Sequence, residues 1–417
     1  MTTRTSPLPI RQIQPEDWPT LLAMDALAFG GSPHDDAAEI EKELFPWDRS
    51  LGSYDGEQLV AAAAAFRLRM AVPGGLLRPM AGVTWVSVLP SYRRRGLTRA
   101  HMYKQLQDLY EAGDEAVAAL WASEPGIYGR FGYGLAASSI GVEVPRPTRL
   151  VGAPADPTLR LRLLPAPDAA DTVAAFYDGL VNAPTVRPGM LTRESKLWWQ
   201  RALLDRERDH SSASVLTCAV IERGSAVRGY AVYRMRSRWD TFRANGTVEV
   251  REIHAAEPAA LALLYEFLLD VDLTAEVALW NLPLDDPLLY WVADRRAAEP
   301  RLRDTLYVRL LDVGRALAER RYATDIDLVF DVRDAVCPWN AGRWRLQGGR
   351  DGAACGRTER AADLTLDVRE LGAAYLGAPA FGPALLAGYA EELTTDAAAR
   401  AAVGFGHELA PFCPYIF

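Results

Sequence analysis

Two hydrophobic periods alternate along the chain. Apolar residues recur at every second position or in short unbroken runs, and then at every third or fourth position. These are the signatures of strands and of half-buried helices. Residues 10–13 have strand character, and Pro15-Glu-Asp-Trp-Pro starts a helix through Leu21, Leu22 and Leu27, with Asp25 and Phe29 near its end. A short helix is expected over 39–44. Asp55-Gly56 reads as the turn of a hairpin whose second strand extends over 61–70. After Gly74-Gly75 comes a strand over 77–89. The period then changes: Met102, Tyr103, Leu106, Leu109 and Tyr110 stand three or four apart, and Gly113 ends that helix. Residues 116–121 form a further apolar strand. This order argues for a central sheet flanked by helices.

A Pro-rich connection, Pro145-Arg-Pro and Gly152-Ala-Pro-Ala-Asp-Pro, places a boundary near residue 150. Beyond it the order partly repeats: strands at 159–164, 215–221, 229–235, 247–254 and 277–280, with helices at 171–180 and 258–269. The segment reads as a degenerate second copy of the first. Where the first copy has a basic turn, the second has Ala255-Ala-Glu-Pro. Glu257 would then occupy the helix N-terminus that a pyrophosphate needs, so no cofactor is expected there. The last portion reads as α+β. A strand at 306–311 leads into a helix over 312–320. Strands follow at 325–332, 343–346 and 362–368, and helices at 370–375, 383–391 and 396–403. The chain stops at an apolar Pro411-Phe-Cys-Pro-Tyr-Ile-Phe, where most domains end in polar residues.

A length of 417 residues calls for two or three domains. Lysine plus arginine number 46 against 54 acids, a formal charge of −8, which disfavours nucleic acid and suits a cationic substrate. Cys218, Cys337, Cys355 and Cys413 form no C-x-x-C pair, and His34, His101, His210, His254 and His407 show no H-E-x-x-H spacing. No metal is expected. The N-terminus has no signal-peptide core and no run of about 18 apolar residues occurs, so no membrane partner and a cytoplasmic location are expected.

The candidate chemistry lies between Gly82 and Tyr133. Arg93-Arg94-Arg95-Gly96-Leu97-Thr98 opens an amphipathic helix. First-turn N–H groups and the dipole bind phosphate oxygens, glycine allows close approach, and arginines neutralise charge. Taken alone the turn reads equally as a solvated basic cap. The strand ending Val86-Ser87-Val88 just before it supplies an edge for the amides of a thioester cofactor. Ser123-Glu-Pro-Gly-Ile-Tyr-Gly-Arg-Phe-Gly-Tyr ends the next strand, where ligands sit in open α/β sheets. Tyr128 there is protonated at neutral pH and able to hand a proton to a departing thiolate, whereas Phe131 and Tyr133 read as core. No side chain nearby offers a general base, and His101 reads as packed or solvent-facing. The α-carboxylate of Phe417 is a base that an apolar terminus could bury, although a frayed tail is the commoner reading of a chain end.

The basic turn after Val86-Ser-Val resembles the acetyl-CoA site of the GNAT superfamily, with Thr98 departing from the last position of its [R/Q]-x-x-G-x-[G/A] pattern. The tyrosine string and the terminal Pro-Phe-Cys-Pro-Tyr-Ile-Phe resemble the Eis (enhanced intracellular survival) family of N-acetyltransferases over the whole chain. The resemblance implies an α/β and α+β fold in three parts. An active GNAT domain spans 1–150, a second GNAT-like domain lacking the pyrophosphate turn spans 151–303, and a sterol-carrier-protein-like domain spans 304–417. It also implies acetyl-CoA contacts from Val86, Ser87, Val88, Arg94, Arg95, Gly96, Leu97, Thr98, Arg99, Ser123 and Glu124. Tyr128 would be the general acid and the Phe417 carboxylate the general base, with Asp25 and Trp85 in the substrate pocket. The implied activity is direct acetyl transfer to a primary amine (an aminoglycoside, a lysine or another acceptor) by a homo-hexamer. Family members that acetylate aminoglycosides can carry an acid before the terminal Phe. Here Ile416 stands there, which weakens attraction for polycations. The competing readings are a non-catalytic lipid or sterol carrier and an acyl-CoA-binding regulatory protein.

Overall fold

The computed structural model describes residues 8–31, 36–206, 210–211 and 213–417. His34 and the first seven residues of the N-terminal segment lie outside the described residues. The first unit contributes strands β1 (Ile10–Arg11), β2 (Ser50–Asp55), β3 (Gln58–Val72), β4 (Leu76–Val88), β5 (Val117–Trp121) and β6 (Gly134–Pro145). The second contributes β7 (Arg160–Pro165), β8 (Thr217–Arg223) and β9 (Ala226–Arg236). A small ribbon of β10 (Trp239–Asp240) and β11 (Arg243–Ala244) comes next, then β12 (Gly246–Ala255), β13 (Thr274–Pro283) and β14 (Arg301–Leu310).

Apart from the ribbon, these strands form one continuous sheet in the order β1-β2-β3-β4-β5-β14-β6-β13-β12-β9-β8-β7. The two units therefore exchange strands. β6 of the first pairs with β13 of the second, and β14 inserts between β5 and β6. The boundary expected between residues 303 and 304 falls inside β14. Residues 305–310 are buried at the centre of the shared sheet rather than beginning the terminal domain. Sequence pattern also missed β6, whose alanines, serines and glycines give little strand signal.

The parallel pairs of this sheet are β4–β5 and β12–β13. The β4–β5 ladder holds only at Ala81↔Ala118 and Gly82↔Ala119 before the strands splay apart. Helices α1 (Trp18–Phe29), α2 (Ala38–Leu44), α3 (Leu97–Ala112) and a single turn α4 (Pro125–Tyr128) belong to the first unit. α5 (Ala170–Val181), α6 (Lys196–Leu203), α7 (Pro258–Leu269) and α8 (Leu288–Trp291) belong to the second. α6 is eight residues long with two buried tryptophans, too short to show a helical period in the sequence.

The terminal unit orders a five-stranded sheet as β17-β16-β15-β18-β19, from β15 (Ile326–Arg333), β16 (Gly342–Gly348), β17 (Ala353–Arg357), β18 (Leu364–Asp367) and β19 (Ala390–Glu392). Its helices are α9 (Val313–Ala318), α10 (Val368–Ala374), α11 (Phe381–Leu386) and α12 (Ala397–Phe405). The helix expected over 383–391 stops at Leu386. Gly388 takes a left-handed φ of 73° and turns the chain into β19. Phe330, Phe381 and Phe405 fill the interior, with ring centroids 4.9 to 6.2 Å apart. One buried cluster runs from Phe66 and Met70 through Leu306 and Val308 to Leu328 and Leu366, so this unit shares a core with the large sheet.

Beyond α12 the last residues return between the two sheet units. Phe412 N donates to the Pro188 carbonyl at 2.9 Å and Tyr415 Oη to the Thr192 carbonyl at 2.7 Å. Trp121 Nε1 donates to Cys413 Sγ at 3.3 Å, and Asn281 Nδ2 to the carbonyls of Cys413 and Pro414. Both units thus grip the terminus.

Candidate active site

The site begins as a defect in β4. Opposite β3 the register jumps from Ala64↔Thr84 to Ala62↔Ser87, so Trp85 and Val86 together face Ala63. Trp85 sits in this bulge at a φ of 53°, a left-handed conformation that costs a side-chain-bearing residue about 1 kcal/mol or more. Packing retains it: its ring lies 5.5 Å from Trp18 and 5.6 Å from Phe45. The bulge bends the end of β4 away from β5 and opens a wedge between them.

The basic turn follows the wedge. Arg94 (φ 64°) and Gly96 (φ 87°) both take left-handed conformations in the turn that leads into α3. A Cβ at Gly96 would meet nothing within 4 Å, so the conformation, not space, calls for glycine. A cavity of about 510 Å³ opens here. Of the residues expected to hold acetyl-CoA, Val86, Ser87, Val88, Arg94, Gly96, Leu97, Thr98, Arg99, Ser123 and Glu124 line it. Arg95 does not. Its guanidinium lies over the Tyr92 ring at 4.6 Å and donates to the Ser91 carbonyl. Arg93, absent from the expected set, lines the cavity and is fixed by donating to the Ala28 carbonyl at 2.7 Å.

A second cavity of about 390 Å³ lies beside the first. Its walls carry Asp25, Glu41, Phe66, Trp85, Trp121, Arg201 and Phe417. Phe29, Val86, Ser123 and Tyr128 line both cavities, so Tyr128 stands where the two meet. The segment that follows β5 is a helical turn. Pro125 starts α4 and a 3₁₀ turn over Gly129–Phe131 follows it, which buries Tyr128. Burial, with the nearby Glu124 carboxylate, pushes the Tyr128 hydroxyl up to about 12. It therefore holds its proton across the physiological range.

The terminal residue completes this second cavity. Phe417 is buried, its ring lies against Gly82 where β4 and β5 separate, and Thr84 Oγ1 donates to its terminal oxygen at 3.1 Å. A Cβ at Gly82 would come within 3.0 Å of that ring. Arg201 of α6 pairs with Glu41 of α2 at 2.7 Å and also donates to the Ile416 carbonyl at 3.0 Å. One guanidinium thus fixes both an acidic wall and the tail. Burial pushes Asp25 up to about 6, against the opposing effect of the adjacent Ser87 hydroxyl and with a further raise from Glu41. His101 lines neither cavity. Its Nε2 lies 2.8 Å from Ser53 Oγ, and burial pushes it down to about 4, leaving a neutral packed imidazole. Thr84, Glu41 and Arg201 went unnoticed in the sequence: Glu41 and Arg201 stand 160 positions apart in different units, and no local pattern joins them.

Sequence comparisons agree with this geometry. Family models described as an acetyltransferase (GNAT) domain match residues 9–136 and again 189–310, and a sterol carrier protein domain matches 313–414. An uncharacterised N-acetyltransferase of Streptomyces coelicolor is 44% identical over 98% of this chain and 99% of its own. The N-acetyltransferase Eis of Mycobacterium bovis is 32% identical over 87% of this chain and 88% of its own. Among solved structures, Eis1 of Mycobacterium abscessus superposes with a TM-score of 0.83 at 31% identity, covering 98% of this chain and all of that one. A GCN5-related N-acetyltransferase of Kribbella flavida shares the fold with a TM-score of 0.79 at 23% identity. A splayed β4–β5 pair behind a basic turn defines an N-acetyltransferase of the GNAT class. Within that class, the chain belongs to the Eis family: two GNAT domains followed by a sterol-carrier-protein-like domain.

Among the described residues, no three His, Cys, Asp or Glu side chains cluster as a metal site would require, and no helix is long and apolar enough to cross a membrane.

Proposed function

We propose that the protein transfers the acetyl group of acetyl-CoA directly to a primary amine, with both substrates bound at once. The observation that carries this reading is the placement of Tyr128 and the Phe417 carboxylate on one cavity that adjoins the cofactor groove. The pyrophosphate would rest on the turn of Arg94 and Gly96 and the pantetheine along Val86–Val88. The thioester would then reach the wedge. The Phe417 carboxylate accepts a proton from the substrate ammonium, directly or through water. The freed amine nitrogen bonds to the thioester carbonyl carbon, the C–S bond breaks as Tyr128 gives its proton to the departing thiolate, and the second proton that the nitrogen loses on becoming an amide passes through water to restore the Tyr128 hydroxyl. Holding both reactants in one wedge converts a bimolecular encounter into a local one, and proximity supplies much of the acceleration.

The acceptor cavity narrows the amine class. Its walls are aromatic (Phe29, Phe66, Trp85, Trp121), and Glu41 is neutralised by Arg201, which leaves Asp25 and the terminal carboxylate for cations. This chemistry favours an amine with an apolar body and one or two positive charges over a polycation. Exposed Ile416, where an acid would extend the negative field, supports the same choice. A CoA-release assay should show the highest kcat/KM for aryl- or alkylamines and a lower one for aminoglycosides. Acetyl-CoA binding without turnover of any amine would overturn the reading.

A further inference from the structure

The first and terminal units meet around another cavity, of about 360 Å³. One wall is the turn after Tyr128, with Gly129, Arg130 and Gly132. The other holds Arg333 at the end of β15, Arg369 in α10, and the Gly388-Tyr389 turn that leads into β19. Three guanidiniums from three separate elements thus border one space. Arg130 also lines the cofactor groove, so the two cavities adjoin.

Each guanidinium is anchored through only part of its donor set. Arg130 Nη2 donates to the Gly126 carbonyl and Arg333 Nη2 to the Tyr389 carbonyl, both at 3.3 Å. Both residues are exposed, and among the described residues no carboxylate pairs with either. Arg369 lies over the Tyr389 ring at 4.7 Å and gives Nε and Nη2 to Glu370. Its Nη1 stands against the Tyr128 turn, 3.6 Å from where a Cβ on Gly129 would lie. A guanidinium carries five N–H donors, so each of the three keeps donors for a ligand.

The carboxylates on the walls are already engaged. Asp334 is buried, pairs with Arg309 at 2.6 Å and accepts from the backbone N–H groups of Val336 and Cys337. Asp367 accepts from Arg369 N at 2.9 Å. Arg130, Arg309, Arg333 and Arg369 against Asp334, Asp367 and Glu370 leave one net positive charge. One guanidinium fork satisfies the two oxygens of a carboxylate. Three forks from separate elements suit the three terminal oxygens of a phosphate.

We propose that this cavity binds a phosphate monoester, with Arg130, Arg333 and Arg369 donating to its terminal oxygens. Two sources share that chemistry. One is the 3′-phosphate of coenzyme A, reaching across from the groove that Arg130 borders, and this source rests on the cofactor reading given above. The other is a separate phosphorylated small molecule. Either occupant bears on the Gly129–Gly132 turn that holds Tyr128.

The test reads binding, not turnover, so it stands apart from the acetyl-transfer proposal. The protein is saturated with 3′-dephospho-CoA, which fills the groove without a 3′-phosphate, and inorganic phosphate is titrated by phosphorus NMR. One phosphate site is expected, not displaced by an equal concentration of acetate. Arg333→Gln, and Ala335→Glu on the exposed rim, should each weaken phosphate at least tenfold and leave 3′-dephospho-CoA affinity within twofold. Replacing 3′-dephospho-CoA by CoA separates the sources: loss of the phosphate site assigns it to the cofactor, and persistence assigns it to a separate phosphate ester. Absence of phosphate binding beside 3′-dephospho-CoA, displacement by acetate, or unchanged phosphate affinity in either folded variant overturns the proposal.

Discussion

Thr84 and Phe417, 333 positions apart, meet through a 3.1 Å hydrogen bond from the threonine hydroxyl to the terminal oxygen of the chain. The last atom of the polypeptide is thereby fixed at the point where β4 and β5 part.

Removal of Phe417, or extension of the chain by a few residues, should lower kcat by about 10²-fold or more, the usual contribution of a positioned acid or base. Acetyl-CoA affinity should change little, because the groove at Val86–Arg99 does not include the terminus. Tyr128→Phe should give a loss of similar size. With the Tyr128 hydroxyl pushed up to about 12, no alkaline limb below pH 10 should trace to it. Steady-state kinetics with pH variation checks each point, and unchanged kcat in either variant would remove that group from the chemistry.

Asp25 links recognition to stability. Its folded value of about 6 exceeds the ordinary value of 3.8, so between these limits the folded state holds a proton that the unfolded chain has lost. Stability therefore falls as pH rises from about 4 to 6, and the cost persists above that. Asp25→Asn should raise stability at pH 7.5 by about 1–2 kcal/mol and raise KM for the amine several-fold. In the parent enzyme, KM for the amine should climb as pH drops through 6. Thermal melts and amine titrations decide; a less stable Asn variant would contradict the burial cost.

Glu252 behaves in the opposite sense. Burial alone would raise it, but the Arg193 guanidinium, paired at 2.5 Å, outweighs burial and holds it at about 2. Its contribution is present above the unfolded value near 4.5 and is lost as pH falls toward 2. Both side chains are nearly fully buried, so Glu252→Gln strands a guanidinium in the core and should cost about 3–5 kcal/mol by denaturant titration. Arg193 also lies over the Tyr415 ring at 4.8 Å, so the variant should lower kcat by loosening the tail.

Gly96→Ala introduces no clash but forces alanine to a φ of 87°. The turn should relax at a cost of about 1 kcal/mol, raising KM for acetyl-CoA by roughly fivefold with kcat nearly intact. Calorimetry with CoA checks the affinity directly.

Local chemistry was legible in the chain. Gly96, Arg94 and the apolar spacing of α3 mark a basic turn that opens a helix, as the structure has it, because turn chemistry and period are short-range properties. The position of Glu257 before Pro258 was legible in the same way, and it is the N-cap of α7 with Arg223 and Arg228 upon it. Long-range pairing was not legible. The alternation within β14 says that it is a strand, but not that it leaves its own segment to sit between β5 and β6. The choice depends on which edges remain unpaired once both units have collapsed. Likewise the apolar tail permits a buried C-terminus without requiring one, since a frayed end is the commoner outcome. Only the packing of Trp121, Thr192, Asn281 and Arg201 around it decides that its carboxylate ends beside Thr84 rather than in solvent. Sequence determined which groups can bind phosphate or carry a proton. Tertiary structure decided which of them meet, since contacts between residues hundreds of positions apart are set by shape and by the satisfaction of buried polar atoms.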